Sequence, residues 1–262
     1  MYNLSMAKLS KTLRCDLHVH TNFSFDSVAT MEQYVMKALA VGVDVICFTD
    51  HIDVNKHYDT FRDFQFERRR EEFARVKDLY GDKIKLLNGF EIGEPHLHPD
   101  VMEKVYGQKP DMIIGSVHNP LDYLDVDHEV IRREYERIYD RCVREMVEHG
   151  GFDVLGHVDM LKKWHDDYVA DEEFVCETLR LCVEKGIVPE INTSSLRQEG
   201  ICETMPSARA IAHYAKCGGK FVTINSDSHT PDSLCHAFDE TRARLPEGVS
   251  LCYFENRKIV TV

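Results

Sequence analysis

Two kinds of segment take turns along this chain. One is short and almost continuously apolar, as at 43–49 and 112–117, the pattern of a parallel strand buried on both faces. The other is longer and mostly charged, with apolar residues at helical spacing. Strands are read at 15–20, 43–49, 84–90, 112–117, 152–155, 187–191 and 221–225. Pro189 is awkward in a ladder, so the sixth strand is expected to be irregular or poorly paired. Helices are read at 30–40, Phe66–Tyr80, 129–148, 171–184 and 207–216, with a short one ending near Tyr106 and another from about Asp232. Thr30 and Asp171 are the expected N-caps, and Gly42 the stop of the first helix. Residues 251–254 and 258–262 read as a small hairpin around Asn256.

Strand and helix alternate seven times with no linker, low-complexity tract or repeat, which means parallel strands joined by crossover helices. Such a sheet is either open and doubly wound or closed into a barrel. The strand ends decide between them. They read Asp16-Leu17-His18-Val19-His20, Asp50-His51, Phe90-Glu91, Ser116-Val117-His118, Gly156-His157 and Asp227-Ser228-His229. An open sheet exposes only its switch point to a ligand, whereas a barrel gathers the ends of all its strands. The expected fold is therefore a single α/β domain, a seven-stranded (β/α) barrel over 1–262 with residues 1–13 as an N-terminal arm.

The chain has 262 residues, 43% of them hydrophobic, enough for one large domain. Its formal charge of −13 argues against a general nucleic-acid binder. Nine scattered cysteines without a C-x-x-C make a poor disulfide framework; Cys15, Cys47 and Cys182 sit in apolar runs and read as core. Residues 1–14 hold no apolar run of signal-peptide length, and no stretch approaches a membrane span. A cytoplasmic location with no membrane partner is expected. The oligomeric state is not legible.

Two histidines two apart on a strand share a face, so His18 and His20 can share an ion. With Asp26, His51, Glu91, His118, His157, Asp227 and His229 they form a mixed imidazole–carboxylate set suited to zinc, iron or manganese. Nine ligands exceed the needs of one ion and would hold two or three if Glu91 bridges. Such ions polarise a phosphoryl group and lower the pKa of a bridging water, giving a hydroxide nucleophile. Arg197, just past the sixth strand, offers a planar fork for phosphate. Ser194 is placed beside it as a substrate contact. Neither Ser194 nor Ser195 has a histidine–acid relay beside it, which argues against a serine nucleophile. Asp50 reads as a support behind the ligands. His96 and His98, in a proline-flanked loop, are left out of the cluster.

This series of motifs, from Asp16 to His229, resembles that of the PHP (polymerase and histidinol phosphatase) superfamily. The segments Gly156-His157-Val158-Asp159 with Leu161-Lys162-Lys163, Glu190-Ile191-Asn192-Thr193-Ser194-Ser195-Leu196-Arg197 and Asn225-Ser226-Asp227-Ser228-His229 resemble the histidinol-phosphatase branch. The resemblance implies a distorted, TIM-like (β/α)7 barrel with three metal ions. His18, His20, Glu91 and Asp227 would hold the first. Glu91 would bridge to a second on His118 and His157, and Asp26, His51 and His229 would hold the third. Some relatives have histidine in place of Asp26, a difference that bears on metal preference at the third site. Glu91, Asp227 and Arg197 would be the catalytic residues, with Arg197 on the phosphate. The implied activity is a metal-dependent phosphomonoesterase of histidine biosynthesis, with L-histidinol phosphate the first-choice substrate. A metal-bridging hydroxide would attack phosphorus in line. Acids after the second strand (Asp53, Asp59, with His57 and Tyr58), in 94–98 and in 122–127 are expected to meet the substrate's cation. The rivals are a relative acting on another small phosphomonoester or a nucleotide diester, and a non-catalytic interaction module.

Overall fold

The computed structural model describes residues 13–54, 59–120, 132–163 and 171–262. Its strands are β1 (Cys15–Val19), β2 (Val45–Ile52), β3 (Lys85–Gly93), β4 (Met112–Ser116), β5 (Val154–Leu155), β6 (Val188–Asn192), β7 (Phe221–Asn225), β8 (Ser250–Glu255) and β9 (Lys258–Thr261). They pair in chain order. Every ladder is parallel except the β8–β9 hairpin. The helices are α1 (Met31–Val41), α2 (Thr60–Asp63), α3 (Phe66–Tyr80), α4 (Pro99–Gly107), α5 (Arg132–His149), α6 (Glu172–Lys185), α7 (Ala208–Lys216) and α8 (Phe238–Arg242). The expected first residues of α5, the 122–127 loop, His57, Tyr58 and all but Leu13 of the N-terminal arm lie outside the described residues. Leu13 packs against the inner core.

Local chemistry fixes the helix ends. Thr30 and Gln33 close a capping box on α1, and Gly42 ends it in the left-handed region at φ 74°. Asp171 caps α6 by accepting from the N–H groups of Glu173 and Phe174. The expected helix from Asp232 is a correction. A 3-10 turn at Pro231–Ser233 comes first, then Cys235 and Ala237 take left-handed backbone, and only five residues of α8 follow. The left-handed backbone at Cys235 and Ala237 breaks the helix, and the Cys235 N–H is held at 2.9 Å by Asp16. Strand six pairs sparsely, two residues with β5 and three others with β7. Pro189 sits opposite Leu155 at the end of the short β5 ladder, and pairing with β7 begins at Glu190.

The parallel strands enclose a core of their own, with Leu17, Val45, Cys47, Leu87, Met112, Ile114, Val154 and Val188 inside. Ile46, Phe48, Phe90, Ile92 and Ile113 face outward into the helical layer. One irregularity in β1 matters for the site. Asp16 lies opposite Ile46 and Val19 opposite Phe48, so β1 carries one extra residue there, a β-bulge. Leu17 and His18 both face inward across from Cys47, and Asp16 is turned out.

The ends of the parallel series meet at the mouth, through a single bridge and not a ladder. The His20 N–H donates to Ser228 O at 2.9 Å, and the Ser228 N–H to His18 O at 3.1 Å. At the opposite end the β8–β9 hairpin closes the floor, with Cys252, Tyr253 and Phe254 in the inner core. Its turn residues Asn256 and Arg257 both have positive φ, as a two-residue hairpin turn requires. Asp111 and Asp153, at the starts of β4 and β5, hold that turn. No helix among the described residues is long and apolar enough to cross a membrane. All nine cysteines are free thiols.

Candidate metal centre

All nine predicted ligands arrive at the mouth. Glu91 is their centre and is fully buried. Its Oε2 faces His51 Nδ1 at 2.9 Å, His18 Nε2 at 3.1 Å and His20 Nε2 at 3.4 Å. Its Oε1 faces His157 Nε2 at 3.0 Å and His118 Nε2 at 3.3 Å, and accepts from the Ser116 hydroxyl at 2.7 Å. The two oxygens of one carboxylate therefore look into two groups of imidazoles. Asp227 Oδ1 lies 3.4 Å from His20 Nε2 and 3.8 Å from His18 Nε2. Asp227 reaches this place from a left-handed backbone, φ 51°, which aspartate tolerates better than most residues. Asp26 Oδ2 lies 3.0 Å from His229 Nε2 and 3.5 Å from His51 Nε2, on the most exposed side of the cluster.

The donor set fits divalent transition-metal ions. His18 Nε2, His20 Nε2, His51 Nδ1 and Glu91 Oε2 are buried, have no hydrogen-bond partner and converge. Buried polar atoms are rarely left so unless an ion takes them. Four groups of three donors lie within 4.8 Å of one another: His18, His20 and Asp227; His18, Glu91 and His157; His51, Glu91 and His118; and His20, His51 and His229. The field is that of a cation site. Burial opposes protonation of His18, but Glu91, Glu190 and Asp227 outweigh it and raise its basicity well above the ordinary. Burial likewise opposes a charged His51, but Glu91 and Asp26 carry it up to about 10. Burial would raise Glu91, yet His18, His51 and His118 hold it well below the usual carboxylate range. His20 is pushed well below the ordinary value by burial and by its neighbours His51 and His229.

Behind the candidate ligands stand groups to which the sequence reading gave no such role. Glu190, fully buried on β6, holds His18 Nδ1 at 2.9 Å and accepts from the His157 N–H at 2.7 Å. Asn192 and Asn225 donate to its two oxygens. Asp53 holds His118 Nδ1 at 2.6 Å, and a Cβ at Gly93 would sit 2.2 Å from Asp53 Oδ1, so that position has no room for a side chain. Such carboxylates fix a ligand's tautomer and orientation. Their signal in the sequence was the two-residue strand period. Glu190 interrupts an apolar strand on its inward face, and Asp53 lies two residues past His51.

Asp53 and Glu94 were expected to meet the substrate's cation, and the structure commits both elsewhere. Glu94 is buried, which pushes it up to about 7, and accepts from the His118 and Asn119 N–H groups. Asp59 is exposed and caps α2. His96 and His98 stay out of the donor groups. Asp50 does stand behind the ligands, bonded to Thr21, Ser24 and Arg69.

One flank of the centre is cationic. Lys163 Nζ lies 3.1 Å from Ser194 Oγ and 3.7 Å from Asp227 Oδ2, and Ser194 Oγ lies 3.2 Å from Asp227 Oδ2. Arg197 spends two guanidinium nitrogens on the carbonyls of Ser226 and Asp227, at 2.5 and 3.0 Å. It braces the segment that carries Asp227, and Lys163 is the cation nearer the carboxylates.

A parallel barrel with imidazoles and carboxylates at the ends of its strands defines a metal-dependent hydrolase of a particular kind. The PHP domain profile matches residues 16–194, and the chain belongs to that family. Among its relatives is the "Probable histidinol-phosphatase" of Clostridium acetobutylicum, 30% identical over 92% of this chain and 97% of the relative. The "Histidinol-phosphatase" of Lactococcus lactis is 29% identical over 82% of this chain and 84% of that protein. In structure the chain is similar to the histidinol phosphate phosphatase of Lactococcus lactis, solved with zinc, L-histidinol and phosphate. The TM-score is 0.81 at 23% identity, over 94% of this chain and 98% of that one.

Proposed function

We propose that this protein is a metal-dependent phosphomonoesterase that hydrolyses L-histidinol phosphate to L-histidinol and phosphate. The observation that carries the reading is the convergence of unpartnered imidazole and carboxylate atoms on Glu91, beside a lysine, a serine and an arginine. The names of the relatives support the substrate. The ions number two to three and are zinc, iron or manganese. His18, His20, Glu91 and Asp227 hold the first. Glu91, His118 and His157 hold the second, and Asp26, His51 and His229 the third. Bound there, such ions polarise a phosphoryl oxygen and lower the pKa of a bound water toward neutrality.

The chain's own residues do the rest. Glu91 presents one oxygen to each group of imidazoles, so removing its charge affects both. Lys163 and Ser194 offer a positive, hydrogen-bonding wall to a phosphate, and Arg197 holds Asp227 in place beneath it. The test is a phosphate-release screen of the purified, metal-loaded protein against small phosphomonoesters and nucleotide diesters. We expect kcat/KM for L-histidinol phosphate at least about tenfold above that for p-nitrophenyl phosphate, an advantage of ~1.4 kcal/mol. Equal turnover of p-nitrophenyl phosphate or of a diester would overturn the substrate.

A further inference from the structure

We infer that Arg69, Asp50 and Ser24 form a relay that fixes which ring nitrogen of His20 carries its proton, and so aims His20 and His51 into the centre. The inference rests on the metal reading above and goes beyond it to residues that touch no ion. It starts from Arg69 on α3, the largest fully buried side chain among the described residues. Its guanidinium is spent on four acceptors: Asp50 Oδ2 at 2.6 Å, Asn88 Oδ1 at 2.5 Å, and the carbonyls of Phe48 and Gly89 at 2.9 Å each. Arg69 Nε faces Asp50 Oδ2 and the Thr21 N–H faces Asp50 Oδ1; both can only donate, so each oxygen of Asp50 stands as an acceptor.

Asp50 Oδ1 takes the Thr21 N–H at 2.6 Å and the Thr21 hydroxyl at 2.8 Å, and faces the Ser24 hydroxyl at 3.3 Å. The count at Ser24 then decides the tautomer. A serine hydroxyl has one proton and two lone pairs. The His51 N–H takes one lone pair at 3.0 Å. The proton goes to Asp50 Oδ1, which accepts it. His20 Nδ1, 3.2 Å away, is left the second lone pair and must donate. Nε2 of His20 is therefore the lone pair, and it is the nitrogen without a hydrogen-bond partner, 3.4 Å from both Glu91 and Asp227.

His18 and His118 are held directly by carboxylates, Glu190 and Asp53. His20 receives the same instruction at one remove, through a hydroxyl that also holds the backbone of His51. Ser24, Asp50 and Arg69 are positioning residues, and an outer helix is tied through them to the centre.

The test is a zinc competition titration of the metal-free wild type, Ser24→Ala and Ser24→Thr, with melting curves of each metal-free protein. Ser24→Ala should still fold and bind at least one equivalent about tenfold to a hundredfold more weakly, and Ser24→Thr should regain the affinity. In a ¹⁵N spectrum of the zinc-loaded wild type the His20 proton should sit on Nδ1. Wild-type affinity for every equivalent in Ser24→Ala overturns the relay, as does a proton on Nε2; should Ser24→Ala not fold, the spectrum decides. A wild type that takes up no zinc, iron or manganese overturns the metal reading itself, a result distinct from loss of the relay.

Discussion

The two ends of the barrel are built from the same strands and obey opposite rules. At the floor the inward positions are Leu17, Cys47, Leu87, Met112, Val154 and Val188, sealed by Tyr253 and Phe254. A turn further toward the mouth the same strands present His18, His51, Glu91, His118, His157 and Glu190. The floor is apolar and closed by a hairpin. The mouth is a field of buried charge closed by one backbone bridge. The floor supplies stability through burial, and that stability lets the mouth hold unpartnered polar atoms that would be costly anywhere else. Change at one end should accordingly leave the other's property intact.

The sharpest separation is expected at Glu91. Glu91→Gln keeps the shape and removes the shared charge, so kcat/KM should fall by more than about a thousandfold, ~4 kcal/mol. Metal content should fall with it, while the metal-free protein should still fold. A variant that keeps its metal and a tenth of its activity would break the comparison. At the floor, Leu87→Ala should cost about 2–5 kcal/mol of stability, a fall of roughly 5–15 °C in Tm. Its folded fraction should keep wild-type metal stoichiometry and kcat; loss of both would show that the ends are not separable.

How much of this was legible in the sequence follows from the same contrast. Strands buried on both faces write continuous apolar runs, and all the candidate ligands but Asp26 were visible because they end those runs. The set from His18 to His229 was therefore open to reading, as were Thr30, Asp171 and the boundaries of α3. Glu190 was not, because an inward acid on a strand beside Pro189 looks like a flaw until its neighbours across the barrel are known. Asp53 and Glu94 lie near the ligands in the sequence and looked like groups at the mouth, yet both are buried under His118. The bulge in β1 left no sequence signal of its own. A regular strand would put Asp16 on the face of His18 and His20, and the extra residue turns it out to hold Ser226 and Cys235.

Glu190 allows a smaller test. Glu190→Gln keeps the side chain's length but sets an amide donor against that of Asn192 or Asn225, and weakens its hold on His18. Metal affinity should fall about tenfold to a hundredfold, measured by chelator competition, with less effect on kcat at saturating metal. Unchanged affinity would make Glu190 a packing residue.

The smallest expected effect is one of pH. Despite burial, the carboxylates raise the proton affinity of His18 and His118 well above the ordinary, and that of His51 to about 10. Groups raised on folding stabilise the metal-free fold fully below their unfolded value, about 6.5, and that contribution is lost as pH rises through the folded values. Ions take the imidazoles without their protons, so ion binding strengthens over the same range. From about pH 6.5 to 9 the midpoint of the metal-free protein should fall by a few degrees, and the gap between loaded and metal-free protein should widen. A gap that narrows as pH rises would mean that protons and ions do not compete for these histidines.

The claim on which the rest depends is that the mouth holds a metal cluster sharing one carboxylate. Elemental analysis of protein purified without chelator tests it most directly. The account predicts more than one equivalent of zinc, iron or manganese per chain in active protein. One equivalent or less, with full phosphatase activity, would contradict it.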